Sequence, residues 1–277
     1  MNQLKKCTAI KALLLLAMFW MAGASWAAQV AGTVVQLSGP LVARKADGAM
    51  RILSMRSEVE SGDTLMTERN TYAMVKFIDN SEITLKPSTT FKVENFAYDA
   101  DKPDGDKASF NLVKGGLRSV TGLLGKRNKE KFEMKTPSAT IGIRGTTFIA
   151  EWVEPTATAL AAREAYLLAS TADLGAAMPI QPLLAQNQVP LPGGAGTLPP
   201  GLYTQTIDGL IVLSNSGGVQ NFAAGQFGYT AASNKAPVVV PKNPGLQFAP
   251  PPAFNASTTS SGSSSPSKSN AVDCEVR

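Results

Sequence analysis

The chain has 277 residues, 44% of them hydrophobic and 17% charged, with a formal net charge of +5, two cysteines and no histidine. The lack of histidine excludes Ser-His-Asp and Cys-His nucleophile pairs and every histidine-based zinc site. The length allows a sizeable hydrophobic core without disulfide staples.

Residues 1–27 have the organisation of a secretory signal peptide. Lys5, Lys6 and Lys11 supply a positive start, Leu13 to Leu16 centre an apolar run, and Ser25-Trp26-Ala27 places small residues where a signal peptidase reads. The apolar run is about eleven residues, short of the roughly 20 needed to span a bilayer. Cleavage is expected after Ala27, leaving a chain with no transmembrane segment, outside the cytoplasm. It removes three lysines and no acids, so 23 basic residues face 21 acidic ones and the net charge falls to +2. The basic balance therefore belongs largely to the leader, and no nucleic-acid partner is expected. Cys274 is then the one remaining cysteine, which rules out an internal disulfide.

Residues 29–153 read as β throughout. Short apolar-alternating runs are separated by Ser38-Gly39-Pro40, Asp47-Gly48, Ser61-Gly62-Asp63 and Asp79-Asn80-Ser81. These residues favour turns because they tolerate positive φ or fix it. Ala73, Val75 and Phe77 fall on one strand face, and Ile83 and Leu85 resume the alternation. No helical period appears in this half. The charged run 99–107 reads as a solvated hairpin loop; its aspartates do not have the spacing of a calcium loop. Gly115-Gly116 reads as a turn between two strands. Lys126, Arg127, Lys129 and Lys131 read as a charged loop tip guarding a sheet edge, with an anionic contact as the alternative.

Thr136-Pro137 then opens a strand in which Ala139, Ile141 and Ile143 alternate with Thr140, Gly142 and Arg144. Gly145 reads as its end, and Phe148, Ala150 and Trp152 begin another. Residues 154–200 change composition, with many Ala, Leu, Pro and Gln. Leu160, Leu167 and Leu168 fit a short helix over 157–170, and prolines make 179–200 irregular. β character returns from Thr204, with Asp208-Gly209, Asn215 to Gly218 and Ala224-Gly225 as turns. Residues 241–277 read as a disordered Pro/Ser-rich tail. The expectation is an all-β domain over 28–240, a sandwich- or solenoid-like stack of short strands. Residues 154–200 are an Ala/Pro-rich, partly helical insertion in it.

At these residues the chain resembles the FecR-type extracytoplasmic domain. The matching pieces are Gly62-Asp63-Thr64-Leu65-Met66-Thr67, Ala73 to Phe77 with Asp79-Asn80-Ser81, and Gly115-Gly116-Leu117-Arg118. The most specific is Thr136-Pro137-x-Ala139-Thr140-x-x-x-Arg144-Gly145-Thr146-x-Phe148. Asn80 departs from the family's usual glycine but can still adopt a left-handed turn position. The family's continuation is displaced here to Asp208–Asn215 and Ala223 to Gln226. The resemblance implies the sensory or binding half of a regulator. The family's cytoplasmic sigma-factor-contacting segment and membrane anchor have no counterpart in this reading.

Three functions compete. The first is a non-enzymatic binding or signalling module of the bacterial periplasm or cell surface, contacting an envelope protein or surface glycan, with no cofactor and no metal. The second is a structural or adhesive surface protein. The third is a carboxylate glycan hydrolase, for which Asp63, Asp79 and Glu82 qualify by residue type alone. The first is preferred, and no catalytic residue is assigned. Gly62, Asp63, Thr136, Pro137, Arg144, Gly145 and Thr146 are read as structural. Arg144 is expected to fix its turn through backbone carbonyls or an acid such as Asp63. The alternative is a grip on a carboxylate or phosphate through its planar fork.

Overall fold

The computed structural model describes residues 29–155 and 198–254. The readings of residues 1–27, of a helix over 157–170 and of the tail beyond 254 lie outside the described residues. Each apolar-alternating run in the described chain forms a strand. β1 (Val30–Leu37), β2 (Leu41–Arg44), β3 (Met50–Leu53), β4 (Glu58–Glu60), β5 (Thr64–Thr67), β6 (Ala73–Phe77), β7 (Glu82–Leu85) and β8 (Thr90–Ala97) are short. β9 (Lys107–Val120) is long, and a one-turn helix α1 (Leu123–Arg127) and β10 (Phe132–Lys135) follow it. β11 (Thr140–Val153) and β12 (Gly201–Asn215) are long again, before β13 (Gly218–Ala223), β14 (Phe227–Thr230) and β15 (Val238–Val240). All fifteen join one hydrogen-bonded sheet. No helix among the described residues is long and apolar enough to cross a membrane.

The three long strands fold this sheet into two layers. The first half of β9 pairs with β8 and runs parallel to β10, while its second half pairs with β7 and β11. β11 pairs with β10 near Thr140 and with β9 from Thr147 onward. β12 follows β11 along its length, taking β14 as its other neighbour in the first half and β13 in the second. Each long strand bends at a glycine with positive φ: Gly115 (80°), Gly145 (63°) and Gly209 (78°). The sequence reading took all three as strand ends. The chain bends there instead of reversing, because neighbouring strands flank it on both sides of the glycine and the ladder resumes after an irregularity.

The core lies between the layers. Phe77 of β6, in one layer, stands 4.9 Å from Phe96 of β8 and 5.2 Å from Phe110 of β9, in the other. Phe110 also stacks on Phe91 and meets Phe132. Such ring pairs add about 0.5–1.5 kcal/mol each beyond the apolar area they bury. The layers are therefore those of a sandwich, sharing three strands.

Two local features differ from the sequence reading. The helix α1 occupies the basic loop tip. It is too short to show a period in sequence, and Asp79 organises it from the β6–β7 turn. The Asp79 carboxylate accepts from the backbone N–H of Ser81 and Leu124, and its carbonyl accepts from Leu123. Gly122 passes so close that an added Cβ would lie 2.5 Å from Asp79 Oδ2. The second feature is the course of residues 241–254. Met74, Ile149 and Tyr203 are buried, yet they stand apart from the main core. Tyr203 and Tyr229 donate to the carbonyls of Pro199 and Pro200, and Phe248 and Phe254 meet the Tyr72 ring. Leu246 and Phe254 are buried. The Pro-rich composition that reads as a disordered tail thus begins with a packed strap.

Candidate functional site

The turn carrying Gly62 and Asp63 is built around one carboxylate. Asp63 is buried, and its Oδ2 accepts from the Glu60 backbone N–H at 3.0 Å and from Arg51 Nη2 at 2.8 Å. Gly62 adopts φ 94°, and the Asp63 carbonyl accepts from Val93. The cavity beside this turn, about 420 Å³, also holds Lys45 and Glu60, which pair at 2.6 Å. Its charges are largely satisfied by one another.

The stretch from Thr136 to Phe148 is spent mostly on backbone geometry. Thr136 closes the β10–β11 turn: its Oγ1 accepts from Ala139 N–H and donates to Ala139 O, while Pro137 stands exposed at the tip. Asn215, from the far end of β12, donates to the Ser138 carbonyl. At the bend, the buried Thr146 Oγ1 accepts from Arg144 N–H at 3.1 Å and donates to Leu210 O at 3.0 Å. Thr121 Oγ1 accepts from Thr146 N–H and donates to Thr146 O. Gly145 supplies the positive φ. Four motif residues thus hold one turn and one bend.

Arg144 is different. Its side chain is exposed and makes no hydrogen bond or ion pair with a described residue. The expected pairing with Asp63 is not made, because Arg51 is nearer in the fold and occupies that carboxylate. The guanidinium instead lines an open groove of about 380 Å³ beside the paired strands β11 and β12. Gly142 and Val212 also line it, Lys129 and Glu130 bring charges from the chain between α1 and β10, and Glu133 brings one from β10 itself. Glu133 is engaged with Ser109 and Lys135, whereas Lys129 and Glu130, like Arg144, are exposed and unpaired among the described residues.

Beside the groove, Lys135 donates to Glu94 at 2.8 Å and holds that carboxyl below its usual range. The basic cluster splits by role. Arg127 grips the buried Asp106 through two nitrogens at 2.7 Å, donates to the Asp99 and Ala100 carbonyls, and covers the Tyr98 ring at 4.6 Å. The acidic run read as a solvated loop is thereby clamped. The other candidate carboxylates are also committed: Asp79 to its turn and α1, Glu82 to Lys76 at 4.0 Å. Sequence reasoning missed Arg51 and Arg127 as partners, since each acts across 12 or 21 residues with no local motif.

These observations define an all-β sandwich with a stapled corner and an open, charged groove. Residues 63–164 match the family model described as FecR protein. The match begins at Asp63 and includes the whole stretch from Thr136 to Phe148. No curated protein matches the chain. Among solved structures, a cell surface anchoring domain is 18% identical, with 22% of this chain and 82% of that one covered and a TM-score of 0.22. Two crystal structures of a candidate anti-sigma factor from Parabacteroides distasonis ATCC 8503 are each 9% identical. They cover 64% of this chain and 58% of theirs, with a TM-score of 0.38. The chain thus spans less than two thirds of the length of that protein, and none of these overlaps is close enough to assign a role to a residue here.

Proposed function

We propose that the chain is a non-enzymatic FecR-type binding and signalling module of the bacterial periplasm or cell surface, contacting an envelope protein or a surface glycan. The observation that carries this reading is the family match over residues 63–164, a range that holds Asp63, Thr136, Pro137, Arg144, Gly145 and Thr146 and that Gly62 adjoins. The signal-peptide pattern of residues 1–27 supports export. The engagement of Asp63, Asp79 and Glu82 in turns and ion pairs supports a binding role over hydrolysis.

The same reading treats residues 154–200 as an insertion in one domain. What supports it is the pairing of β11 with β12 up to Val153 and Gly201, so that the insertion leaves and re-enters at adjacent points. Cell fractionation followed by pull-down from envelope extract tests the proposal. The expected result is a chain shortened by its leader, in the envelope or outside the cell, retaining a reproducible partner. A full-length chain in the cytoplasm, or no partner from any envelope fraction, would contradict it.

A further inference from the structure

We infer that the groove at Arg144 is a peptide-binding site that takes an extended segment of a partner protein through an acidic side chain. This deepens the binding reading above and names its chemistry. The first observation is that Arg144 is the one charged residue of the stretch Thr136 to Phe148, and its guanidinium makes no hydrogen bond or ion pair with a described residue. A planar, always-charged fork of this kind matches a carboxylate in two-point geometry.

The second observation is independent and concerns Gly142. Its φ lies outside the left-handed region, and an added Cβ would meet nothing nearer than Val212 O at 3.9 Å. Neither backbone conformation nor packing requires glycine there. Glycine in a strand interior weakens the strand by its entropy. A side chain at 142 would instead project into the groove that Arg144 lines, so the glycine keeps the groove floor open. Gly145 and Gly209, by contrast, have the positive φ their positions demand.

The lining selects among occupants. Lys129 and Arg144 attract a carboxylate, while Glu130 and Glu133 stand in the same groove. Charges of both signs disfavour a polyanion and suit a peptide with an acid and a base near one another. The one aromatic residue of the lining, Phe132, is 7% exposed, so it offers no open ring face for a sugar. Ile143 is buried as well, leaving Val212 and the Gly142 backbone as a narrow floor.

The test is a nuclear magnetic resonance titration of the purified full chain, so its outcome does not depend on cellular location. The probes are the blocked peptide acetyl-Ala-Asp-Ala-Lys-Ala-amide, its Asp-to-Asn analogue and inorganic phosphate. The Asp peptide is expected to shift the Gly142 and Arg144 resonances saturably. The Asn analogue should bind roughly tenfold more weakly, the scale of one charged hydrogen bond lost. Gly142→Val should abolish the shifts without lowering the melting temperature, and Arg144→Gln should abolish them while leaving the fold intact. No shift with the Asp peptide, equal binding of the Asn analogue, stronger binding of phosphate than of the peptide, or full binding by Gly142→Val would each overturn the inference.

Discussion

Gly145 and Gly209 face each other across β11 and β12 so closely that a Cβ on Gly209 would lie 2.2 Å from the Gly145 carbonyl oxygen. Both have positive φ, and both sit where a strand passes from one layer to the other. The crossing is therefore fixed by two backbones in contact. The two positions are not equivalent, however. At Gly145 an added Cβ meets nothing within 4 Å.

Gly209→Ala is expected to destabilise by about 2–5 kcal/mol, combining left-handed strain with a backbone clash. Gly145→Ala carries the strain alone and should cost about 1–2 kcal/mol. Urea unfolding of the two variants measures the difference. Equal losses would mean that the close approach does not constrain the bend.

Thr146→Val keeps the shape of the bend but removes the hydroxyl shared by Arg144 N–H and Leu210 O. A partly buried carbonyl and amide then lose their partner, and the expected loss is about 1–3 kcal/mol. Thr146→Ser should retain most of the stability, because the oxygen stays. A serine variant as unstable as the valine one would point to methyl packing instead.

The Asp106–Arg127 clamp predicts a pH dependence. The Arg127 guanidinium bonded to it holds the Asp106 carboxyl below its ordinary value of 3.8. A carboxyl lowered in the folded state contributes stability that is fully present above its unfolded pKa and is lost as pH falls through the folded value. The contribution should therefore fade below about pH 4. Asp106→Asn and Arg127→Ala should each lower stability at neutral pH and flatten the acid limb of the unfolding curve. An unchanged acid limb in both variants would contradict the clamp.

Much of this fold was legible in the sequence, for local reasons. Alternation gave the strands, and Asp79-Asn80-Ser81 announced its turn because the backbone there needs residues that tolerate positive φ. The errors share one cause. Gly115, Gly145 and Gly209 carry the same local signature as turn glycines, and only neighbouring strands decide between bending and reversal. Arg51 with Asp63, and Arg127 with Asp106, were illegible because ion pairs across a fold leave no period. The strap at 241–254 was hidden because Leu246, Phe248 and Phe254 follow no strand or helix spacing.

The strap makes its own prediction. Leu246→Ala and Phe254→Ala remove buried side chains of the strap, and each should cost about 2–4 kcal/mol. Chemical denaturation reads this directly. Unchanged midpoints in both would mean that residues 241–254 contribute nothing to the folded domain.

The central claim is that the motif's other residues build the corner while Arg144 is kept free for a ligand. Thermal unfolding of Arg144→Ala tests it most directly. An exposed side chain without a partner among the described residues should change stability by less than about 0.5 kcal/mol. A melting temperature that falls as far as that of Thr146→Val would show Arg144 to be part of the corner and would contradict the account.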